Sequence, residues 1–323
     1  MYTLGFEGTA HTLGVGIVDD QGNVLSNIIL TYPATEGIHP REAANHHAAN
    51  MSDTISRALR EADIGVDDID VIAFSQGPGL GPALRTVATA ARAMSISLGV
   101  PLVGVNHCIA HLEIGRLVTD AEDPVLLYAS GGNTQVIAFS RGRYRVFGET
   151  LDIGLGNMLD KFGRAHGIPF PAGPAIEQKA KKGSKLIELP YSVKGMDVSF
   201  SGILTAALNS DEAMEDICFS LQETTFAMLT EVTERALAHT RKSEVLLGGG
   251  VVRNKRLRDM ASTMARERGA ETYVPDGGLC VDNGAMIAWT GYLMYQAGME
   301  ITVENSHIKP NHRTDDVEIL WRN

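Results

Sequence analysis

His107 and His111 stand four residues apart in Asn106-His107-Cys108-Ile109-Ala110-His111. On a helix that spacing projects both rings from one face, where they can share a divalent cation. Neutral imidazole is the commonest metal ligand; the other account is a pair of satisfied surface histidines. Zinc proteases also carry paired helical histidines, with a Glu directly after the first to serve as general base. Here that position is Cys108, and Glu113 lies beyond the second histidine, so the protease pattern fails. His46 and His47 are adjacent, cannot share a helix face and read as structural.

Three further segments carry polar or glycine-rich patterns. Tyr128-Ala129-Ser130-Gly131-Gly132-Asn133-Thr134 follows an apolar run, and its two glycines would let backbone N–H groups approach an anion closely. A tight hairpin accounts for them equally well. In Leu246-Leu247-Gly248-Gly249-Gly250-Val251-Val252-Arg253-Asn254 three glycines separate a buried strand from a helix. Backbone can abut a nucleotide there, or the glycines serve close packing. Asp160 and Glu177 flank the Phe170-Pro171-Ala172-Gly173-Pro174 turn and either lie in solvent or hold ribose hydroxyls as paired acceptors. Asp282, at the start of an apolar helix, either caps it or completes a metal site.

The elements that must position these residues alternate between apolar strand-like runs and helix-period segments, with no low-complexity linker, which is the pattern of an α/β protein. Residues 3–18 and 23–30 read as strands turning at Asp19-Asp20-Gln21-Gly22. A helix is expected over 45–62, a strand at 71–74, a helix from Pro82, a strand at 101–105 and a helix over 106–116. From Pro124 the opening theme returns as strands at 125–129, 134–139 and 144–148. Helices follow near 153–166, 213–241, 253–268 and 282–298, with a strand at 244–247; residues 167–200, rich in Pro and Gly, read as mostly irregular.

Strand, glycine turn and strand at the head of each half is how actin-like folds build two opposed phosphate loops. The expected fold is the actin-like ATPase (ASKHA) fold, two ribonuclease H-like lobes around a central nucleotide and metal cleft. The lobes are expected at 1–118 and 119–323, with the terminal segment packing back on the first. A net charge of −11 argues against a dedicated nucleic-acid scaffold. Cys108, Cys218 and Cys280 are isolated and predict three free thiols. With no signal-like start and no apolar run of membrane length, a cytoplasmic protein without membrane partners is expected.

Glu7-Gly8-Thr9-Ala10-His11-Thr12, Ser75-Gln76-Gly77-Pro78-Gly79-Leu80-Gly81-Pro82, Asn106 to His111 and Met196-Asp197-Val198-Ser199-Phe200-Ser201-Gly202 together closely resemble the universal tRNA threonylcarbamoyladenosine transferases, in their archaeal and eukaryotic form from the KEOPS complex. The match spans essentially the whole chain. The resemblance implies that His107, His111, Tyr128 and Asp282 bind one divalent metal, Fe2+ first, with Zn2+ or Mg2+ as alternatives. It implies that Tyr128, Ala129, Ser130, Gly131, Gly132, Asp160, Gly173, Glu177 and Asn254 line a nucleotide site. The substrate would be threonylcarbamoyl-AMP, with ATP or another adenine nucleotide able to occupy the same place.

The implied reaction moves the threonylcarbamoyl group to N6 of the adenosine beside the anticodon, position 37, in tRNAs reading codons that begin with A. No side chain is an evident nucleophile; Glu7 and Ser130 are the candidate catalytic side chains. The implied partners are tRNA, a small protein kinase and a small dimeric subunit docking on helices between 45 and 98. Lys179 to Lys185 and Arg141, Arg143 and Arg145 are candidate tRNA contacts. Three departures stand out: Glu7 where sugar kinases of the fold carry Asp, Ala172 where the family often has a second glycine, and Arg253 and Lys255 beside Asn254. The rival readings are an ATP-dependent kinase of the same fold and a non-catalytic nucleotide-binding scaffold.

Overall fold

A computed structural model describes residues 1–34 and 37–322. The first half is β1 (Tyr2–Glu7), β2 (Thr12–Asp19), β3 (Val24–Thr31), α1 (Pro40–Ala62), β4 (Ile69–Gly77), α2 (Gly81–Leu98), β5 (Leu102–Asn106) and α3 (His107–Val118). The second is β6 (Val125–Ala129), β7 (Thr134–Ser140), β8 (Arg143–Glu149), α4 (Leu155–Ala165), α5 (Gly173–Ala180), β9 (Val193–Lys194), β10 (Asp197–Val198), α6 (Ser201–Leu208), α7 (Met214–Thr240), β11 (Glu244–Gly248), α8 (Lys255–Glu267), β12 (Glu271–Tyr273) and α9 (Gly284–Gln296).

The two main sheets repeat one plan. The first runs β3-β2-β1-β4-β5 and the second β8-β7-β6-β11-β12, each an antiparallel meander extended by two parallel strands. The faint internal repeat in the sequence is thus a duplication of topology. Between the sheets lies α3, whose residues His107 to Gly115 are all buried. Cys108, Ile109 and Leu112 pack with Leu126, Tyr128 and Leu246 of the second sheet, while Ala110 and Ile114 pack with Val71, Val103 and Val105 of the first. A helix apolar on both sides has to be shared between two cores, and that is what places the histidine pair at the junction.

Helix α9 returns to the first sheet through a seam of glycines. A Cβ on Gly5 would lie 2.2 Å from the Ala288 amide nitrogen, one on Gly16 2.3 Å from that of Ala285, and one on Gly284 2.2 Å from that of Gly16. Backbone therefore rests on backbone, and the chain just before α9 is held over the ends of β1 and β2.

The structure corrects several sequence expectations. Residues 3–18 form two strands with a turn at 8–11, a turn the sequence hides because it lacks the usual Asn or Pro. Helix α1 begins at Pro40, five residues earlier than expected, with the proline in its tolerated first turn. The stretch 167–200 is mostly irregular as expected, interrupted by α5 and the β9–β10 ribbon, which the sequence did not mark, as it did not mark α6 and β12. These elements are eight residues or fewer, too short to show a period. Cys108, Cys218 and Cys280 are buried free thiols, and no described helix is long and apolar enough to cross a membrane.

Candidate functional site

Strand β5 ends at Asn106, whose Oδ1 accepts hydrogen bonds from the Cys108 and Ile109 amides at 3.0 and 3.3 Å. This N-cap starts α3 at His107, and one turn later comes His111, the two ring centroids 4.8 Å apart. Tyr128 arrives from the end of β6 and Asp282 from the loop before α9. His107 Nε2 lies 2.9 Å from the Tyr128 hydroxyl and 3.4 Å from Asp282 Oδ1. His111 Nε2 lies 3.2 Å from the same carboxylate oxygen. Of the two alternatives for Asp282, capping of the following helix falls away: Asn283 does that, its side chain accepting from the Met286 amide at 2.9 Å. Asp282 is free to face the histidines.

His107, His111 and Asp282 form a group whose donor atoms all lie within 4.8 Å of one another. The edge of a tetrahedron around a cation bound at about 2.1 Å is about 3.4 Å, and the two histidine–carboxylate spacings, 3.4 and 3.2 Å, match it. Two imidazoles, a carboxylate and a phenol make a nitrogen and oxygen site suited to iron or zinc. Burial pushes the His111 imidazole down, which keeps its lone pair available. Burial also acts against a charge on His107, but Glu7, Tyr128 and Asp282 outweigh it and raise this imidazole well above its ordinary value. Asp282 is opposed by burial yet held well below the carboxylate range by His107 and His111. Burial pushes the Tyr128 phenol up.

Glu7 stands behind this group. It is fully buried; its Oε2 is 2.9 Å from His107 Nδ1, and its Oε1 accepts from the Thr9 amide and hydroxyl, both at 2.7 Å. A carboxylate on the far nitrogen of a ligating histidine fixes ring orientation and raises basicity. Thr9, which sequence reasoning did not single out, holds that carboxylate in turn. Glu7→Gln should weaken metal affinity about 10- to 100-fold, read by metal titration of the stripped protein; unchanged affinity would reduce Glu7 to a packing residue.

The glycine turn abuts this group. Ser130 bonds within its own turn, its hydroxyl donating to Asn133 O at 3.2 Å and accepting from the Asn133 amide at 3.1 Å, and it also reaches the Tyr128 side chain. The carbonyls of Ser130 and Gly131 accept from the Gly156 and Asn157 amides at 3.0 and 2.9 Å, tying the turn to α4. A Cβ on Gly132 would meet nothing within 4 Å, so space lies beside that backbone. In the second glycine run Gly249 has φ +94° and a Cβ there would sit 2.4 Å from Ala129 O; that glycine serves packing, whereas Gly250 is open.

The remaining expected nucleotide residues form one connected set. Asp160 Oδ1 accepts from the Ala172 amide at 2.8 Å, beside Gly173, and its carboxyl is raised, chiefly by burial. Glu177 Oε1 accepts from the Lys255 amide at 3.2 Å. Asn254 caps α8 through its oxygen and donates to Gln222 at 2.8 Å. Asp160 and Glu177 are thus acceptors for backbone in addition to any ligand, and Gln222 is a neighbour the sequence did not suggest. Ser201 of the fourth family-like segment binds Asp152: burial opposes ionisation there, but the Phe200 and Ser201 amides and the Ser201 hydroxyl bring that carboxyl down to about 2. His47 is buried and bonded to Ala10 O at 3.1 Å, with burial taking it down to about 4.

Residues 22–289 match the family model described as TsaD, tRNA N6-adenosine threonylcarbamoyltransferase. This chain belongs to that family. A tRNA N6-adenosine threonylcarbamoyltransferase of Methanococcoides burtonii is 58% identical over 98% of this chain and 96% of its own length. A probable bifunctional tRNA threonylcarbamoyladenosine biosynthesis protein of Methanothermobacter thermautotrophicus is 59% identical over 99% of this chain, which spans only 61% of that protein. Among solved structures, HypF of T. kodakarensis superposes with a TM-score of 0.62 at 17% identity, covering 92% of this chain and 48% of that one. The likeness to HypF shows the fold alone: the two-lobed α/β architecture of actin-like ATPases. This chain thus joins membership of the threonylcarbamoyltransferase family to that fold, with a histidine, histidine and aspartate group between its two sheets.

Proposed function

We propose that this chain transfers the threonylcarbamoyl group from threonylcarbamoyl-AMP to N6 of adenosine 37 in tRNAs reading codons that begin with A. The observation that carries the reading is the convergence of His107, His111, Tyr128 and Asp282, from three separate elements, beside the open Ser130-Gly131-Gly132 turn in a chain of this family. His107 Nε2, His111 Nε2, Asp282 and the Tyr128 oxygen hold one divalent ion, with Fe2+ ahead of Zn2+ and Mg2+ on the nitrogen and oxygen donor set. That ion, when bound, supplies positive charge that orients the threonyl portion of the substrate.

The chain's own residues do the rest. Glu7 holds His107 by its Nδ1, and the Gly131 and Gly132 amides face charge growing on the departing phosphate. Asp160, Gly173, Glu177 and Asn254 border the adenylate. The adenine amine attacks the carbamoyl carbon directly, a new C–N bond forms, AMP leaves and the amine proton passes to solvent. No acyl-enzyme is invoked, because no side chain is an evident nucleophile: the Ser130 hydroxyl bonds to Asn133 and to Tyr128 and has no base of its own there. A kinase reading loses its acid, since Glu7 is buried behind a histidine. The lobes divide at 118/119, with α9 belonging to the first. A small kinase and a small dimeric subunit of the KEOPS type assist with tRNA, the dimeric one on α1 and α2.

The test is reconstitution with partner subunits, labelled threonine, bicarbonate, ATP, a threonylcarbamoyl-AMP synthase and unmodified tRNA. Label is expected in tRNA and lost with His107→Ala/His111→Ala. Absence of label with folded protein and intact intermediate would overturn the transferase.

A further inference from the structure

Residues 306–322 contain a single 3-10 turn, Thr314–Asp316, yet they cross from one lobe to the other. On the first lobe His307 O accepts from Gln76 Nε2 at 2.8 Å, and the Lys309 amide donates to Gln76 O at 2.7 Å. The contact is so close that a Cβ on Gly77 would sit 1.9 Å from Lys309 O. On the second lobe Asp315 Oδ1 accepts from the Val146 amide of β8 at 3.0 Å. Between these attachments Asn106 Nδ2 donates to His312 O at 3.2 Å.

Beyond the crossing the segment follows α3. Val317 and Ile319 are buried with Cys108, Ile109, Leu112 and the metal-side Tyr128. Trp321 Nε1 then donates to Glu113 Oε1 at 2.7 Å, and Arg322 Nη1 donates to the Tyr144 hydroxyl at 2.8 Å. Glu113 is fully buried and also takes Arg116 at 2.7 Å. A buried carboxylate needs each of those donors, so the end of the segment is pinned two residues past His111.

We infer that residues 306–322 are a strap that positions the metal centre, and that Asn106 is the positioning residue joining strap to ligand helix. Asn106 does two things with one side chain: its oxygen caps α3 and its nitrogen holds the strap. The four donors come from α3, from β6 and from the loop before α9, so a shift of α3 moves His107 and His111 together relative to Asp282 and Tyr128. The strap opposes that shift by binding both lobes and both halves of the helix. The inference rests on the metal centre of the proposed function, not on the transfer reaction.

Asn106→Ser separates the two roles, because serine is a good N-cap but cannot reach His312 O. Trp321→Phe keeps an aromatic ring, smaller than the indole, and removes the donor to Glu113. In the metal-stripped full chain, Co2+ titration should give about tenfold weaker binding for Asn106→Ser and a smaller loss for Trp321→Phe. Amide exchange across 107–115 should speed up in both. Co2+ affinity within twofold of the parent in both variants, or α3 protection unchanged, would overturn the inference. If Asn106→Ser does not fold, Trp321→Phe decides by the same two measurements. Neither readout uses tRNA or threonylcarbamoyl-AMP, so failure here leaves the transferase standing, and a failed transfer assay with intact coupling removes only the transferase.

Discussion

His111→Ala should abolish metal loading and lower threonylcarbamoyl transfer by about three orders of magnitude or more. His111 is almost wholly buried, and its Nε2 faces the Asp282 carboxylate at 3.2 Å. Burial keeps the imidazole neutral, so what is deleted is a lone pair already in place. The remaining donors are one histidine, one carboxylate and a phenol whose ionisation burial opposes. Polarisation by a bound ion is worth several kcal/mol, and about 4 kcal/mol corresponds to a thousandfold in rate. Metal content by elemental analysis and single-turnover transfer are the two readouts. The fold should survive, because α3 keeps its Asn106 cap and the buried packing of Ile109, Ala110 and Leu112. A variant that keeps full metal stoichiometry would mean that another residue completes the site, and His111 would return to being a core histidine.

The second large effect is on stability. Gly284→Val should cost about 3 kcal/mol or more, seen as a lower denaturation midpoint with little change in slope. A Cβ at this position already meets the Gly16 amide nitrogen at 2.2 Å and Val15 carbon at 2.3 Å, and the obstacle is backbone on both sides. Neither partner can rotate away, so α9 has to lift from β1 and β2 as a body. Asp282 lies two residues earlier, which makes a loss of metal affinity the accompanying sign. Gly202→Ala is the control: a Cβ there meets nothing within 4 Å, the position is helical, and a stability change below about 1 kcal/mol is expected. Equal effects from the two substitutions would remove the glycine seam as the reason α9 sits where it does.

The sequence by itself determined what is local. The four-residue spacing of His107 and His111 on one helix, the strand–turn–strand opening of the second half and the isolation of the three cysteines were legible, because each depends on neighbours within a turn or a strand, and the family match was legible from segments spread along the chain. Tertiary structure decided the rest. Asp282 could have been a cap or a ligand, and the matter turned on Asn283 taking the capping bond and on a contact with His111 made across 171 residues. Glu7 was placed behind His107 by a contact across 100 residues, and Trp321 reached Glu113 across 208. The seam of Gly5, Gly16 and Gly284 likewise has no local signature, since a glycine required by packing against a distant backbone looks the same in sequence as one required by a turn. Hydrophobic periodicity says which face of a segment is buried. Which partner lies on that face depends on how the whole chain closes, and here that closure brought His107, His111, Tyr128 and Asp282 together.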